Sequence, residues 1–160
     1  MGAGKSTVGA RLAQRLGGSH VDLDLEIERQ EQRTIAEIFA RSGESRFREL
    51  EAEALRQTEN LNKLVVSCGG GIFESAANRS WIRSHGEALW LDVPLALLRR
   101  RLIGGELRPR WLCADSVELR ELYERRRASY ALAAHRLDGS APVDRLVDDL
   151  FERFCGFFVD

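Results

Sequence analysis

Apolar residues recur along this chain in two rhythms that take turns. Val8, Leu12, Ala13 and Leu16 fall on one helical face over 6–16, and Gly17-Gly18 ends that helix. The run His20-Val21-Asp22-Leu23-Asp24 reads as a short strand ending in carboxylates. Thr34 and Glu37 have capping-box spacing, so a short helix opens there and Gly43 closes it; an amphipathic helix follows over 44–58. The continuous apolar run from Leu64 to Cys68 stops at Gly69-Gly70-Gly71, which predicts a buried strand feeding a glycine turn. Next come a helix over 76–84, a strand over 88–93 and a helix begun by Pro94. The stretch 104–111 has no consistent period and reads as a mobile loop. After it Ser116 caps a helix reaching 134, a strand covers 136–138 and a last helix covers 142–154. Alternating strands and helices predict an α/β fold, a parallel sheet with helices on both faces and ligands beyond the carboxyl ends of the strands.

Length and composition narrow the class. At 160 residues, 44% apolar and 31% charged, the chain fits one ordinary globular domain. It has no apolar run near the roughly 20 residues of a membrane span and no visible export signal, so the expectation is a cytoplasmic protein without a membrane role. Cys68, Cys113 and Cys155 are too widely spaced for a zinc knuckle and read as free thiols, two or three of them buried. His20, His85 and His135 read as packing or surface residues. Arginines cluster at 99–101, at 108 and 110 and at 125–127, but a net charge of −1 argues against a nucleic-acid partner.

The chemistry concentrates at Gly2-Ala3-Gly4-Lys5-Ser6-Thr7. Glycines ahead of a lysine let backbone N–H groups turn around phosphate oxygens at the positive end of a helix. Lys5 then reaches the β- and γ-phosphates and the Ser6 hydroxyl ligates Mg²⁺. The pattern lacks its first glycine and a preceding strand. Asp22 and Asp24, two apart on a strand, point to one side; one can hold Mg²⁺ through water while the other accepts a hydroxyl proton. Alternatively they belong to a helix cap with an acidic first turn through Asp24-Leu25-Glu26.

These motifs, together with Glu28, Ile35-Ala-Glu-Ile-Phe39, Gly43-Glu44-x-x-Phe47-Arg48-x-x-Glu51, Gly69-Gly-Gly71, Arg108-Pro109 and Arg126-x-x-x-Tyr130, occur in the order found in shikimate kinases, which the chain resembles over nearly its whole length. That resemblance implies a single three-layer P-loop kinase domain over 1–160. It has a five-stranded parallel sheet in the order 2-3-1-4-5, substrate-binding helices over about 24–60 and a lid over about 104–116. It also implies transfer of the γ-phosphoryl of ATP to the 3-hydroxyl of shikimate, in aromatic amino-acid biosynthesis, with Mg²⁺ as cofactor and a monomeric enzyme. By the same resemblance Asp24 binds substrate hydroxyls and is the base, Asp22 holds Mg²⁺ through water with Ser6, and Arg48 and Arg126 grip the substrate carboxylate. Gly70 and Gly71 give backbone contacts, Arg108 closes over the phosphates with Arg110 as its substitute, and adenine meets 138–142.

Two departures accompany the likeness. Arg110-Trp111 follows Arg108-Pro109 where the family has small apolar residues. The family's first, central strand is missing, so the expectation is a slot between its third and fourth strands. Met1 then reads as an internal methionine of a longer protein, with about ten residues, a strand and a glycine, ahead of it. Other readings stay open: a kinase for another small hydroxy acid or sugar acid, such as gluconate, or a non-catalytic or truncated, inactive relative.

Overall fold

The computed structural model describes residues 2–103 and 117–158. In chain order the helices and strands are α1 (Lys5–Leu16), β1 (Ser19–Asp22), α2 (Leu23–Glu31), α3 (Ile35–Arg56), β2 (Leu64–Ser67), α4 (Ala76–His85), β3 (Leu89–Asp92), α5 (Leu95–Ile103), α6 (Val117–Tyr130), β4 (His135–Asp138) and α7 (Val143–Phe154). Short 3₁₀ turns sit at Ile72–Glu74 and Cys155–Phe157.

Among the described residues the strands form two parallel pairs rather than one sheet. β1 lies beside β2 with Ser19 opposite Leu64 and Asp22 opposite Ser67, and β3 lies beside β4 with Leu89 opposite His135 and Asp92 opposite Asp138. Two apolar clusters hold the pairs into one layer. On one face Leu23, Ile27, Phe47, Leu50 and Phe73 pack with Val66 of β2 and Ala88 just ahead of β3. On the other, Val8 and Leu12 of α1 and Leu146 and Leu150 of α7 pack with Val65, Leu91 and Leu137. Each face therefore spans both pairs, as helices on two sides of a parallel sheet require.

All four carboxyl ends face one way. The Ser6 hydroxyl donates to Asp22 at the end of β1, while Arg101 donates to the carbonyls of Gly2, at 3.2 Å, and of Gly139, at 3.4 Å, just past β4. Gly139 in turn donates its N–H to Asp92 at the end of β3, at 2.9 Å. β2 and β3 line one cavity, and among the described residues their inner edges have no strand partner.

Several boundaries differ from the sequence reading, each for a local reason. Leu23 and Asp24 leave the strand, because the Asp22 carboxylate accepts the Asp24 N–H at 3.1 Å and starts α2. The helices expected on either side of Gly43 are joined as α3, with Gly43 at φ 75° and ψ 177° kinking it. The Thr34 and Glu37 capping box forms in full. α6 ends at Tyr130, four residues short of the expected 134. Residues 104–116, with Arg108, Arg110, Cys113 and Ser116, lie outside the described residues. Cys68 and Cys155 are free thiols, partly rather than fully buried. Among the described residues no helix is long and apolar enough to cross a membrane.

Candidate active site

The first wall of the site is the loop before α1. Gly4 stands at φ 87° and ψ 16°, the left-handed region where a Cβ is strained, and the N-terminus of α1 has no side-chain cap. Its first-turn N–H groups have no helical acceptor, so an anion at this end meets aligned donors and the positive helix pole. Lys5 opens the helix here. Ser6 reaches across to Asp22, so a hydroxyl and a carboxylate meet beside the loop. That all-oxygen pair suits a hard cation such as Mg²⁺, which takes one or two protein ligands and fills its shell with phosphate and water oxygens. Among the described residues no group of three or more His, Cys, Asp or Glu side chains forms a metal cage.

The second wall is Gly69-Gly70-Gly71, at the end of β2, where four charged side chains converge. A Cβ on Gly69 would stand 2.7 Å from Asp24 Oδ1 and overlap Glu51. One on Gly70 would stand 2.8 Å from Arg126 Nη1, and one on Gly71 would overlap the Arg48 guanidinium. Three glycines in a row are thus the room in which Asp24, Glu51, Arg48 and Arg126 meet. The turn itself is anchored by Tyr130, whose hydroxyl donates to the Gly70 carbonyl at 2.6 Å.

The charged groups here influence one another. Burial raises the Asp24 carboxyl above the usual carboxylate range, Asp22 adds to that and Lys5 opposes it. Arg48, on the half of α3 beyond the Gly43 kink, donates to Glu51 at 2.5 Å and to Glu44 at 2.8 Å. The Glu51 side chain is 1% exposed; burial raises its carboxyl while Arg48 pulls it back, and its Oε1 has no hydrogen-bond partner among the described residues. Arg126 pairs with Glu74 at 3.3 Å. Its side chain is 18% exposed against 63% for Arg125 and 44% for Arg127, so only the middle arginine of that run turns inward.

The structure therefore brings Lys5, Ser6, Asp22, Asp24, Arg48, Gly70, Gly71 and Arg126 to one end of the strands, as the sequence suggested. It corrects how Asp22 and Asp24 meet: one caps α2 and the other sits in its first turn, so the same-side spacing of a strand is not the cause. The helix cap at Asp22 stands beside the loop, where Ser6 donates to its carboxylate. Sequence reasoning missed Arg101 and Glu74. It quoted Glu51 without assigning it a place in the site, although its spacing three residues from Arg48 on a helix was the available signal. The segment 138–142 folds as a turn in which Asp138 accepts from the Ser140 N–H at 3.0 Å.

Comparison with known proteins places the chain in a family. The family model described as shikimate kinase matches residues 1–154. A shikimate kinase of Persephonella marina is 39% identical over 155 residues, covering 96% of this chain and 93% of the relative. One of Thermosynechococcus vestitus is 48% identical over 135 residues, covering 83% and 73%. Among solved structures, shikimate kinase from Acinetobacter baumannii in complex with shikimate superposes with a TM-score of 0.88 at 32% identity, covering 98% of this chain and 89% of that one. Shikimate kinase from Aquifex aeolicus gives 0.83 at 29% identity, with 98% and 92% covered. The fold is that of the P-loop kinases, and the chain belongs to the shikimate kinase family.

Proposed function

We propose that this ATP-dependent kinase transfers the γ-phosphoryl group of ATP to the 3-hydroxyl of shikimate, giving 3-phosphoshikimate and ADP for aromatic amino-acid biosynthesis. The observation that carries the reading is the convergence of Arg48 and Arg126 on the glycine turn beside the half-buried Asp24. Two guanidiniums suit a carboxylated acceptor, because their planar forks match a carboxylate in paired hydrogen bonds. A neutral sugar has no group for them.

In this reading the substrate carboxylate lies against Arg48 and Arg126 and the Gly70 and Gly71 backbone, with its hydroxyls toward Asp24. Asp24 accepts the proton of the 3-hydroxyl as that oxygen forms its bond to the γ-phosphorus, and the bond from the γ-phosphorus to the bridging oxygen of ADP breaks. A raised carboxyl is a better base than an ordinary one, provided it is ionised when substrate arrives. Lys5 and the loop amides hold the phosphates in line. Ser6 and Asp22, the latter through water, would hold Mg²⁺, which when bound neutralises charge developing on the phosphates. Arg108 is assigned the charge-stabilising role that the family resemblance gives it.

A coupled assay of ADP release with ATP, Mg²⁺ and a panel of hydroxy acids tests this. Release should require shikimate and should vanish in Lys5→Met and Asp24→Asn. Equal turnover with gluconate or another sugar acid would replace the acceptor, and shikimate binding by calorimetry without turnover would make the chain a binding protein.

A further inference from the structure

Glu74 ends the 3₁₀ turn that follows the three glycines, and that turn is pinned from α4. Arg79 donates to the carbonyls of Phe73, at 2.7 Å, and of Glu74, at 2.9 Å, and the buried Asn78 donates to that of Ile72 at 3.4 Å. The Glu74 N–H in turn donates to the Gly71 carbonyl at 3.0 Å. From this fixed base the Glu74 carboxylate bridges two neighbouring arginines of α6. Its Oε1 accepts from Arg126 Nε, and its Oε2 forms an ion pair with Arg125 Nε, both at 3.3 Å. The other end of the Arg126 guanidinium faces the glycine turn, with Nη1 2.8 Å from where a Cβ on Gly70 would stand.

We propose that Glu74 is a positioning residue for the acceptor: by holding Arg126 through Nε, it aims the terminal nitrogens of that guanidinium at the acceptor's carboxylate before the acceptor binds. The inference rests on the reading of Arg126 as a carboxylate-binding group. An arginine side chain has many rotamers, and ordering it only when substrate arrives weakens binding. A partner on a rigid element removes that cost. The guanidinium is divided accordingly, with one nitrogen given to the scaffold and the far end left for a ligand. Of the other carboxylates near Arg126, Glu44 and Glu51 both accept hydrogen bonds from Arg48, so Glu74 is the acidic group that holds Arg126 among the described residues. A lone carboxylate here would repel an anionic acceptor. Arg125 offsets this, because two cations share one anion and the cluster stays positive toward the ligand. Arg125 is exposed and its contact is screened by water, whereas Arg126 is half-buried, so the inner contact is the one that bears on binding.

Steady-state kinetics, varying shikimate and ATP separately, are read on Glu74→Ala, Glu74→Gln, Arg126→Ala and the double variant Glu74→Ala/Arg126→Ala. Glu74→Ala should raise the KM for shikimate at least about fivefold, with kcat and the KM for ATP within about twofold of the unaltered enzyme. Glu74→Gln keeps an oxygen for Nε and should recover most of the loss. The double variant should have the shikimate KM of Arg126→Ala, because Glu74 acts only through that guanidinium. Shikimate whose carboxylate is converted to the neutral amide should be insensitive to Glu74→Ala. An unchanged shikimate KM in Glu74→Ala, equal rises for both substrates, or additive losses in the double variant would each overturn the proposal. If Glu74→Ala does not fold, Glu74→Thr takes its place; failure of both to fold makes the residue part of the scaffold and overturns the proposal as well. An unaltered enzyme that does not turn over shikimate overturns the acceptor reading and this inference with it. Normal turnover with an unmoved KM in Glu74→Ala overturns this inference alone.

Discussion

Tyr130, the last residue of α6, donates its hydroxyl to the carbonyl of Gly70, 60 residues away, at 2.6 Å. Arg126 lies one helical turn before it, so the bond that fixes the glycine turn also sets where that guanidinium stands. Burial pushes the tyrosine hydroxyl above its usual range, so it remains a donor at any working pH. Tyr130→Phe should cost about 1 kcal/mol, or roughly 2–4 °C in melting temperature. The KM for shikimate should rise several-fold while that for ATP stays put. An equal rise in both would mean that the bond serves the fold as a whole.

Asp24→Asn should separate stability from activity. The Asp24 carboxyl is raised in the folded protein. Its protonated form therefore lends stability that is complete below the unfolded pKa, near 4, and is lost as the pH climbs through the folded value. Above its folded pKa the native protein carries a half-buried carboxylate that asparagine removes. Turnover should collapse, yet the variant should be about 1 kcal/mol more stable at pH 7, the gain fading toward pH 4. In the unaltered enzyme kcat/KM should fall on acidification at a pH above the ordinary carboxylate range. An acid limb at the ordinary value would remove Asp24 as base.

Arg48 and Glu51 should show strong coupling. Arg48→Ala leaves the Glu51 carboxylate buried and alone, a loss of about 2 kcal/mol, less than for a fully enclosed pair because the Arg48 side chain is 32% exposed. Adding Glu51→Gln should restore about half of this at pH 7 without restoring shikimate binding. Chemical denaturation of both variants decides; simple additivity would mean that the two side chains act independently.

Gly71→Ala probes space rather than backbone. Gly71 has φ −96°, which any residue adopts, so the obstacle is the Arg48 guanidinium. That is the far end of a long side chain and it can swing aside. Melting should change by less than about 1 kcal/mol, whereas the KM for shikimate should rise at least about tenfold, roughly 1.4 kcal/mol of lost binding. A large stability loss with unchanged KM would contradict the placement.

Arg101→Ala should act on the nucleotide alone. Its guanidinium ties the Gly2 and Ala3 carbonyls to that of Gly139, so its removal should loosen the phosphate loop and raise the KM for ATP. Steady-state kinetics varying each substrate in turn will show whether the shikimate KM stays unchanged.

What could be seen in the sequence was local. Gly4-Lys5-Ser6, the Thr34 and Glu37 box and the break at Gly43 are short-range patterns whose physics lies within a few residues. The strand beginning at His20 ends at Asp22 rather than at Asp24, because a strand-like alternation hid an aspartate that accepts from the backbone two residues on and turns the chain into α2. Glu74 and Arg101 were illegible for another reason. Glu74 meets Arg126 across 52 residues and Arg101 meets Gly2 across 99, through contacts that only the strand order creates. The inward turn of Arg126 was inferable from its spacing to Tyr130, but not the glycine turn against which both close.

The cavity lined by β2 and β3 also bears on how this protein should be handled. Ala3 and Phe158, near opposite ends of the described chain, both border it. An affinity tag fused at either end therefore starts close to the inner edges of β2 and β3, which have no strand partner among the described residues. Two preparations differing only in tag position are two different samples, and unmatched strand edges favour aggregation in whichever leaves them open. Tag sequence and placement belong among the experimental variables from the first purification.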